Sequence, residues 1–248
     1  MRRFFLFIVI PTCLLIIATV ALIEFRHQRG NTRAAQLIAD FHVQPLGEIG
    51  ATRTLKILPL MEYHTAAPEL LTEVGVSYLV ETDDHRILYD VGHNPEGENP
   101  SPLQRNMQSL GIDLASIDMV FISHNHLDHV GGYHWQQQNT FSLGMEQLPF
   151  PNPRTQLVAP ALMSYPGMST VYADRPMQLG NGVGSTGLAT TGTIPRQLPI
   201  GWIEEHSLVV NVEGLGGVII VACGPVSYTH LTLPTTDVVC RSRWSPCH

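Results

Sequence analysis

Six consecutive residues, His124 to His129, carry three imidazoles and one carboxylate in the order His-Asn-His-Leu-Asp-His. Both kinds of side chain bind divalent metals. An apolar run at 119–122 precedes the six residues, and the pair Gly131-Gly132 follows them. An apolar run of this kind predicts a strand, and a ligand-rich loop at the end of a strand can hold a metal against a rigid sheet edge. The pattern therefore predicts a metal site at 124–129.

The spacing within the motif indicates how the ligands would be shared. Residues two apart in an extended chain point the same way, so His124 and His126 can converge on one ion. Asp128 and His129 are adjacent and would diverge, unless a turn at Leu127-Asp128 aims them at a second ion. Two metals about 3.5–4 Å apart can clamp the attacking and leaving oxygens of a displacement. The alternative is a polar surface loop with three histidines, which the preceding strand and the following glycines disfavour.

These residues resemble the H-x-H-x-D-H signature of the metallo-β-lactamase superfamily, and Ser123 and Val130 to Gly132 extend the match. The resemblance implies an α/β fold, an αββα sandwich with the metal site at one edge between two sheets. It implies two divalent metal ions, with zinc favoured and iron or manganese as alternatives. His124, His126 and a later histidine would hold the first. Asp128, His129, a bridging carboxylate and a last histidine would hold the second.

Two further residues enter through this resemblance. His206 stands just before an apolar run, roughly where the superfamily places the third ligand of the first metal. A surface or substrate-side histidine is the alternative. The run at 88–92 resembles the superfamily's L-F-D-T-G, so Asp90 would hydrogen-bond the metal ligands or their backbone. A strand-end aspartate that caps a turn is the alternative for Asp90.

Patterns on both sides of Asp90 predict alternating strands and helices. β-branched and aromatic residues favour strands, the pair Asp83-Asp84 favours a turn, and apolar residues at helical spacing before Gly111 favour a helix. The predicted elements are strands at 74–80, 86–90 and 118–122 and a helix at 101–110. This alternation indicates an α/β domain.

A narrower resemblance lies within the superfamily. Residues 74–82, 110–118, 205–210 and 218–221 resemble the branch of methanopterin-precursor synthases, which join a dihydropterin to a ribofuranosylaminobenzene phosphate. The resemblance implies the architecture of that branch, and it leaves the substrate open.

The first 25 residues contain a separate feature. Residues 4–23 carry no charge and are long enough to cross the roughly 30 Å hydrocarbon core of a bilayer. A signal peptide removed on export and a retained anchor both fit. We favour a single-span membrane anchor at 1–25, with the catalytic domain outside the cytoplasm, followed by a linker at 26–50 that contains a short helix near 34–41.

The predicted catalytic domain extends over 51–224, and we expect it to be incomplete at its C-terminal side. From Pro225 the sequence resembles the translation of a sequencing adapter, so residues 225–248 are predicted to be a non-native tail. The synthase branch carries Gly-Cys-Ser-His where this chain has Ala222-Cys223-Gly224-Pro225. Cys223 is kept, and the late histidine ligand is replaced by proline.

Composition limits the choice of partners. The net charge is −7, and lysine is almost absent, so tight electrostatic binding of nucleic acid is not expected. Outside the tail the only cysteines are Cys13 and Cys223, which implies no disulfide framework. The segment 144–201, rich in Pro, Gly and Thr, predicts long loops around a cleft for a small-molecule substrate.

Together these observations predict a metal-dependent hydrolase of an ester, lactam or phosphoester, in which a bound metal activates water. Asp128 would bind metal and orient the nucleophile, or hold the proton that passes to the leaving group. Three alternatives remain: a pterin-related transferase, an iron-dependent redox enzyme, and an inactive or binding-only membrane-tethered fragment. The oligomeric state is left open.

Overall fold

The chain divides into two compact units, one formed by Met1–Val43 and Pro195–Ile203 and the other by Gln44–Ile194 and Glu204–His248. The computed structural model describes residues 2–40, 46–160, 162–180, 186–198 and 201–223. The predicted non-native tail at 225–248 lies outside the described residues.

In the first unit, helix α1 extends from Arg2 to Ala39 and includes Pro11. By length and composition its part from Val9 to Ala39 could cross a membrane, a test that a signal sequence near the N-terminus also passes. The linker predicted at 26–50 is therefore helical up to Ala39, because Ala, Arg, Gln and Leu dominate its first half and favour helix. The guanidinium of Arg33 lies 4.8 Å from the ring centre of Trp202, within reach of a cation–π contact.

Two sheets build the larger unit. In chain order, the elements after α1 are β1 (Leu55–Met61), β2 (Ser77–Thr82), β3 (Arg86–Tyr89), α2 (Pro102–Ser109), β4 (Met119–Phe121), α3 (Tyr133–Gln137), β5 (Gln156–Ala159), β6 (Ser169–Tyr172), β7 (Met177–Gln178), β8 (Leu188–Thr190), β9 (Ile194–Leu198), β10 (Gly201–Glu205), β11 (Leu208–Val212) and β12 (Gly216–Ile220). Most of β9 and β10 belongs to the first unit, and the other strands belong to the larger one. One sheet has the order β1-β2-β3-β4-β5-β6 and the other β12-β11-β8-β7, while β9 pairs with β10.

The direction of pairing changes at β3. Strands β1, β2 and β3 are antiparallel neighbours, whereas β3, β4, β5 and β6 run parallel. The carboxyl ends of β3 and β4 therefore lie at the same edge of the sheet. The residues that follow Tyr89 and Phe121 come together there, and the second of these segments is the metal motif.

Alternating side chains of the central strands fill two cores, as the two-residue period of a strand requires. Leu88 of β3 and Val120 of β4 pack in one core with α2, through Leu103 and Met107. The other core lies between the two sheets and contains these buried side chains: Ile87, Tyr89, Met119, Phe121, Leu208, Val210 and Ile220. The layers confirm the predicted α/β sandwich.

The local predictions agree with the observed elements to within a few residues, whereas the prediction of loops over 144–201 is wrong in part. Strands β2, β3 and β4 and helix α2 lie where the sequence predicted them, and Ser101 caps α2 in a capping box with Gln104. The segment 144–201, predicted as loops, contains strands β5 to β9. These strands have two to five residues. Three of them pair with the next strand along the chain, β5 with β6, β7 with β8 and β9 with β10, but each is too short to carry a clear periodic pattern.

Candidate metal centre

The site is built where β3 and β4 end. The backbone N–H of Asp90 donates to the carbonyl of Phe121 at 2.8 Å, so the two strands remain paired at their last residues. Asp90 then adopts a left-handed conformation with φ 55°, which aspartate tolerates better than most residues. After this turn, the chain continues next to the loop that follows β4. This loop carries the metal motif.

The motif residues form a tight turn rather than an extended segment. The N–H of His126 donates to the carbonyl of His124 at 3.1 Å, and the N–H of His129 donates to that of His126 at 2.9 Å. Leu127 and Asp128 lie in the turn, as the sequence predicted. The backbone thereby brings side chains that are adjacent in sequence to one side of the loop.

The four ligand side chains predicted within the motif lie close together. Nε2 of His124 is 3.2 Å from Nδ1 of His126, and Nε2 of His129 is 3.6 Å from Oδ2 of Asp128. The rings of His124 and His129 have centres 4.1 Å apart. His124 and His129 are buried, whereas His126 and Asp128 are half-buried and lie nearer to solvent.

A fifth potential ligand, which the sequence analysis did not include among the site residues, is Cys223. One ligand atom from each of His124, His129 and Cys223 lies within 4.8 Å of the other two. The Sγ of Cys223 is 3.4 Å from Nε2 of His129. The sequence carried one signal for it, since Cys223 is kept in the Gly-Cys-Ser-His segment of the resembling branch.

Asp90 orients the metal motif through hydrogen bonds to Ser123 and His129. Its buried carboxylate accepts three hydrogen bonds of 2.8 Å, from the backbone N–H and hydroxyl of Ser123 and from Nδ1 of His129. Because the Ser123 hydroxyl donates to Asp90, it can accept from Nδ1 of His124, 2.9 Å away. Both buried imidazoles thus have Nδ1 engaged and turn Nε2 toward the cluster. This is the kind of support predicted for Asp90, and its action on a bound metal stays a prediction.

The same carboxylate changes the protonation of His129. Burial lowers the pKa of His129, but the charge and hydrogen bond of Asp90 and the contact with Cys223 outweigh it and hold the pKa well above its usual range. Binding of a metal at Nε2 would therefore displace a proton, as is general for histidine ligands.

Glu73 stabilises the chain that follows Asp90. Its carboxylate accepts hydrogen bonds from the N–H groups of His93 at 2.7 Å and Asn94 at 3.0 Å. Burial raises the pKa of Glu73, although the two backbone hydrogen bonds partly oppose this. Sequence reasoning missed Glu73 because its partners lie about twenty residues away and carry no motif.

The structure does not bring His206 to the cluster. Its Nε2 lies 2.7 Å from the carbonyl of Ile122, which can only accept, and its Nδ1 lies 2.8 Å from the hydroxyl of Thr190. The ring stacks on Phe121, and burial lowers its pKa to about 4. Both nitrogens are engaged, so in this arrangement His206 is a buried structural histidine between the sheets. Its predicted role as a ligand has no support in this geometry.

The remaining donor set fits a divalent metal. It combines imidazole nitrogens, a carboxylate and a sulfur, the ligand types that zinc takes in proteins. One ligand atom from each of His124, His129 and Cys223 converges within 4.8 Å of the other two, and these three residues could hold an ion together. His126 and Asp128 lie beside this group, with donor atoms 3.2 Å from His124 and 3.6 Å from His129, and could contribute further ligands.

Comparison with known proteins agrees with the fold and the motif. Residues 71–241 match the family model described as the metallo-beta-lactamase superfamily. The chain belongs to this superfamily. The match covers more than half of the chain and includes β2 to β12 and the metal motif, and proteins of the superfamily typically bind divalent metals.

Two curated relatives match shorter parts of the chain. A 7,8-dihydropterin-6-methyl-4-(beta-D-ribofuranosyl)-aminobenzene-5'-phosphate synthase of Methanocaldococcus jannaschii is 37% identical over 92 residues, which are 35% of this chain and 30% of that protein. The transcription termination factor FttA of Cenarchaeum symbiosum is 42% identical over 60 residues, 24% of this chain and 9% of that protein. The matches thus span less than a third of either relative.

Among solved structures, a quorum-quenching N-acyl homoserine lactone lactonase is similar with a TM-score of 0.41 and 17% identity, over 68% of this chain and 73% of that chain.

Proposed function

We propose that this superfamily member is a metal-dependent hydrolase of a small ester, lactam or phosphoester. One observation carries the proposal: the side chains of His124, His126, Asp128 and His129 gather at the sheet edge, with the buried pair oriented by Asp90 and Ser123. A polar surface loop would not bury two of its histidines on a carboxylate–hydroxyl network.

The proposed roles of these residues follow from how exposed each side chain is. The buried His124 and His129 would fix the metal position, because their rings are held at Nδ1 and cannot rotate freely. Asp128 has a side chain 31% exposed and lies at the solvent side, where a substrate can approach. It would bind metal and orient the attacking water, or hold the proton destined for the leaving group. When bound, divalent metal supplies a nucleophile from water near neutral pH and polarises the substrate oxygen.

The number and identity of the metals belong to the same proposal. The motif offers four donors, from His124, His126, Asp128 and His129, which suits two divalent ions, with zinc favoured over iron or manganese. We also propose that α1 is retained as an anchor, that the domain lies outside the cytoplasm, and that the partner is a small molecule rather than nucleic acid.

Substitution of Asp128 tests the hydrolase. The full chain in detergent micelles would be compared with Asp128→Ala for bound metal, by elemental analysis, and for hydrolysis of generic ester, lactam and phosphodiester substrates. We expect the unsubstituted chain to bind metal and to cleave at least one class. In Asp128→Ala we expect kcat/KM to fall by about 100-fold or more, the usual loss for a group that transfers protons.

The exposed Asp84, in the turn between β2 and β3, provides the control: Asp84→Asn removes a carboxylate and should leave both readouts unchanged. The assignment fails if Asp128→Ala retains full metal content and full hydrolysis. Metal binding without any turnover would instead favour a binding-only protein.

A pterin-related transferase is the second candidate, and the 37% identity to the dihydropterin synthase over 92 residues favours it. Incubation with a dihydropterin and a ribofuranosylaminobenzene phosphate, followed by mass spectrometry, separates the two. A joined product would indicate the transferase, and products that differ from a substrate only by added water would indicate the hydrolase.

A further inference from the structure

Cys223 reaches the metal motif through the end of the second sheet. Strand β12 ends at Ile220, and the carbonyl of Ile220 accepts a hydrogen bond of 3.2 Å from the hydroxyl of the buried Tyr89. Tyr89 directly precedes Asp90. The ends of β3 and β12 are therefore joined next to the site. Cys223, three residues after Ile220, contacts His129.

The separation between Cys223 and His129 matches that of two ligands of one ion. Metal–nitrogen bonds of about 2.05 Å and metal–sulfur bonds of about 2.3 Å at a tetrahedral angle place nitrogen and sulfur about 3.6 Å apart. The same geometry places two nitrogens about 3.4 Å apart. The observed distances are 3.4 Å for Cys223 Sγ to His129 Nε2 and 3.2 Å for His124 Nε2 to His126 Nδ1.

A simple hydrogen bond between Cys223 and His129 would explain only one of these contacts. His124 also contributes a ligand atom within 4.8 Å of the other two, so three donors converge where a hydrogen bond needs two. Two of the three side chains, His124 and His129, are buried, and Cys223 closes the group from the exposed side.

We propose that Cys223 binds the metal as a thiolate beside His124 and His129, which gives the centre a mixed nitrogen–sulfur ligand set. The inference rests on the proposed metal-dependent function and adds a ligand that the motif does not contain. On binding, the S–H bond is replaced by a sulfur–metal bond, and the proton passes to solvent. A thiolate is a soft ligand and selects zinc over manganese or magnesium, which prefer oxygen ligands.

Cobalt substitution tests the thiolate directly. The full chain in detergent micelles is stripped of metal with a chelator and titrated with Co²⁺, while absorbance is recorded from the near ultraviolet to the visible. A thiolate ligand gives a sulfur-to-cobalt charge-transfer band in the near ultraviolet, whereas imidazole and carboxylate ligands give only weaker visible bands. We expect the charge-transfer band in the unsubstituted chain.

The four cysteines of the chain allow a matched pair of variants. Cys223→Ser should lose the charge-transfer band and bind cobalt at least about 100-fold more weakly, since even residues outside the ligand shell change metal affinity 10- to 100-fold. The triple variant with Cys13→Ser, Cys240→Ser and Cys247→Ser retains Cys223 alone and should keep the band and the affinity.

The outcomes separate this inference from the proposed function. Cobalt uptake without a charge-transfer band in the unsubstituted chain, or a band that persists in Cys223→Ser, overturns the thiolate ligand and leaves the metal centre standing. No cobalt uptake by the unsubstituted chain overturns the metal centre and the inference together.

Discussion

Substitution of Asp90 by asparagine separates support of the metal ligands from capping of a turn. Asparagine has the shape of aspartate and tolerates the left-handed backbone at φ 55°, so strain is not added. Oδ1 can still accept from the N–H of Ser123. The second oxygen becomes an NH₂ group that faces the Ser123 hydroxyl and Nδ1 of His129, both donors to the carboxylate.

The two neighbours respond differently to this change. The Ser123 hydroxyl can rotate and accept from the new NH₂ group. His129 cannot, because its Nδ1–H would meet another donor, so Nδ1 must lose its proton and the neutral ring keeps a proton on Nε2, the nitrogen that faces Asp128 and Cys223. We expect metal affinity to fall about 10- to 100-fold, which corresponds to about 1.4–2.7 kcal/mol. Loss of a buried charge-assisted hydrogen bond should also lower the free energy of unfolding by about 1.5–3 kcal/mol.

Zinc affinity at pH 7 would be measured by competition with a chromophoric chelator, and the free energy of unfolding of the metal-free chain by urea denaturation. Asp83→Asn is the control. Asp83 accepts hydrogen bonds from the backbone and side chains of Arg53 and Thr54 at the other end of β3. These bonds, that of the Thr54 hydroxyl first, hold the pKa of Asp83 below its usual range. Asp83→Asn should destabilise the chain without changing zinc affinity.

The reasoning is refuted if Asp90→Asn binds zinc as tightly as the unsubstituted chain while it loses stability in the manner of Asp83→Asn. Asp90 would then only cap the turn after β3, and the orientation of His129 would depend on its surroundings rather than on the carboxylate.

Two further predictions concern the scaffold. Gly131→Ala would place a Cβ 2.0 Å from the carbonyl oxygen of Ser142 at φ +86°, whereas Gly111→Ala at φ +66° meets nothing within 4 Å. Urea denaturation should therefore show a loss of about 1 kcal/mol for Gly111→Ala and about 3 kcal/mol or more for Gly131→Ala, and equal losses would contradict the clash. The pKa of His206 is about 4 in the folded chain and 6.5 in the unfolded chain. As the pH falls, His206 is therefore protonated in the unfolded chain before it is protonated in the folded chain. The free energy of unfolding should drop by about 3 kcal/mol between pH 6.5 and 4, and His206→Gln should remove that part of the pH dependence.

Local patterns predicted the elements that carry the motif. The hairpin of β2 and β3 follows from two β-rich runs around Asp83-Asp84, and α2 follows from its apolar spacing before Gly111. Each of these signals lies within about ten residues. The metal motif could be placed at a strand end for the same reason, since the apolar run at 119–122 directly precedes it.

Contacts between distant parts of the chain could not be predicted in this way. Asp90 and His129 are 39 residues apart, and Cys223 and His129 are 94 apart. No local pattern indicates that the two sheets join beside Tyr89, so Cys223 had no predicted neighbour. The prediction for His206 relied on sequence position alone, and the hydrogen bonds to Ile122 and Thr190 that occupy its nitrogens depend on sheet packing.

The backbone, more than the side chains, sets the positions of the metal ligands. The N–H of Val91 donates to the carbonyl of His129 at 3.0 Å, the N–H of Gly131 donates to that of Gly92 at 2.9 Å, and the N–H of Gly92 donates to that of Val76 at 3.0 Å. Three loops are thus joined by main-chain hydrogen bonds around the motif. Because β3 and β4 are buried on both faces, this network is attached to two cores. Such preorganisation lets most of the metal's binding energy go to holding the ion rather than to folding the loop.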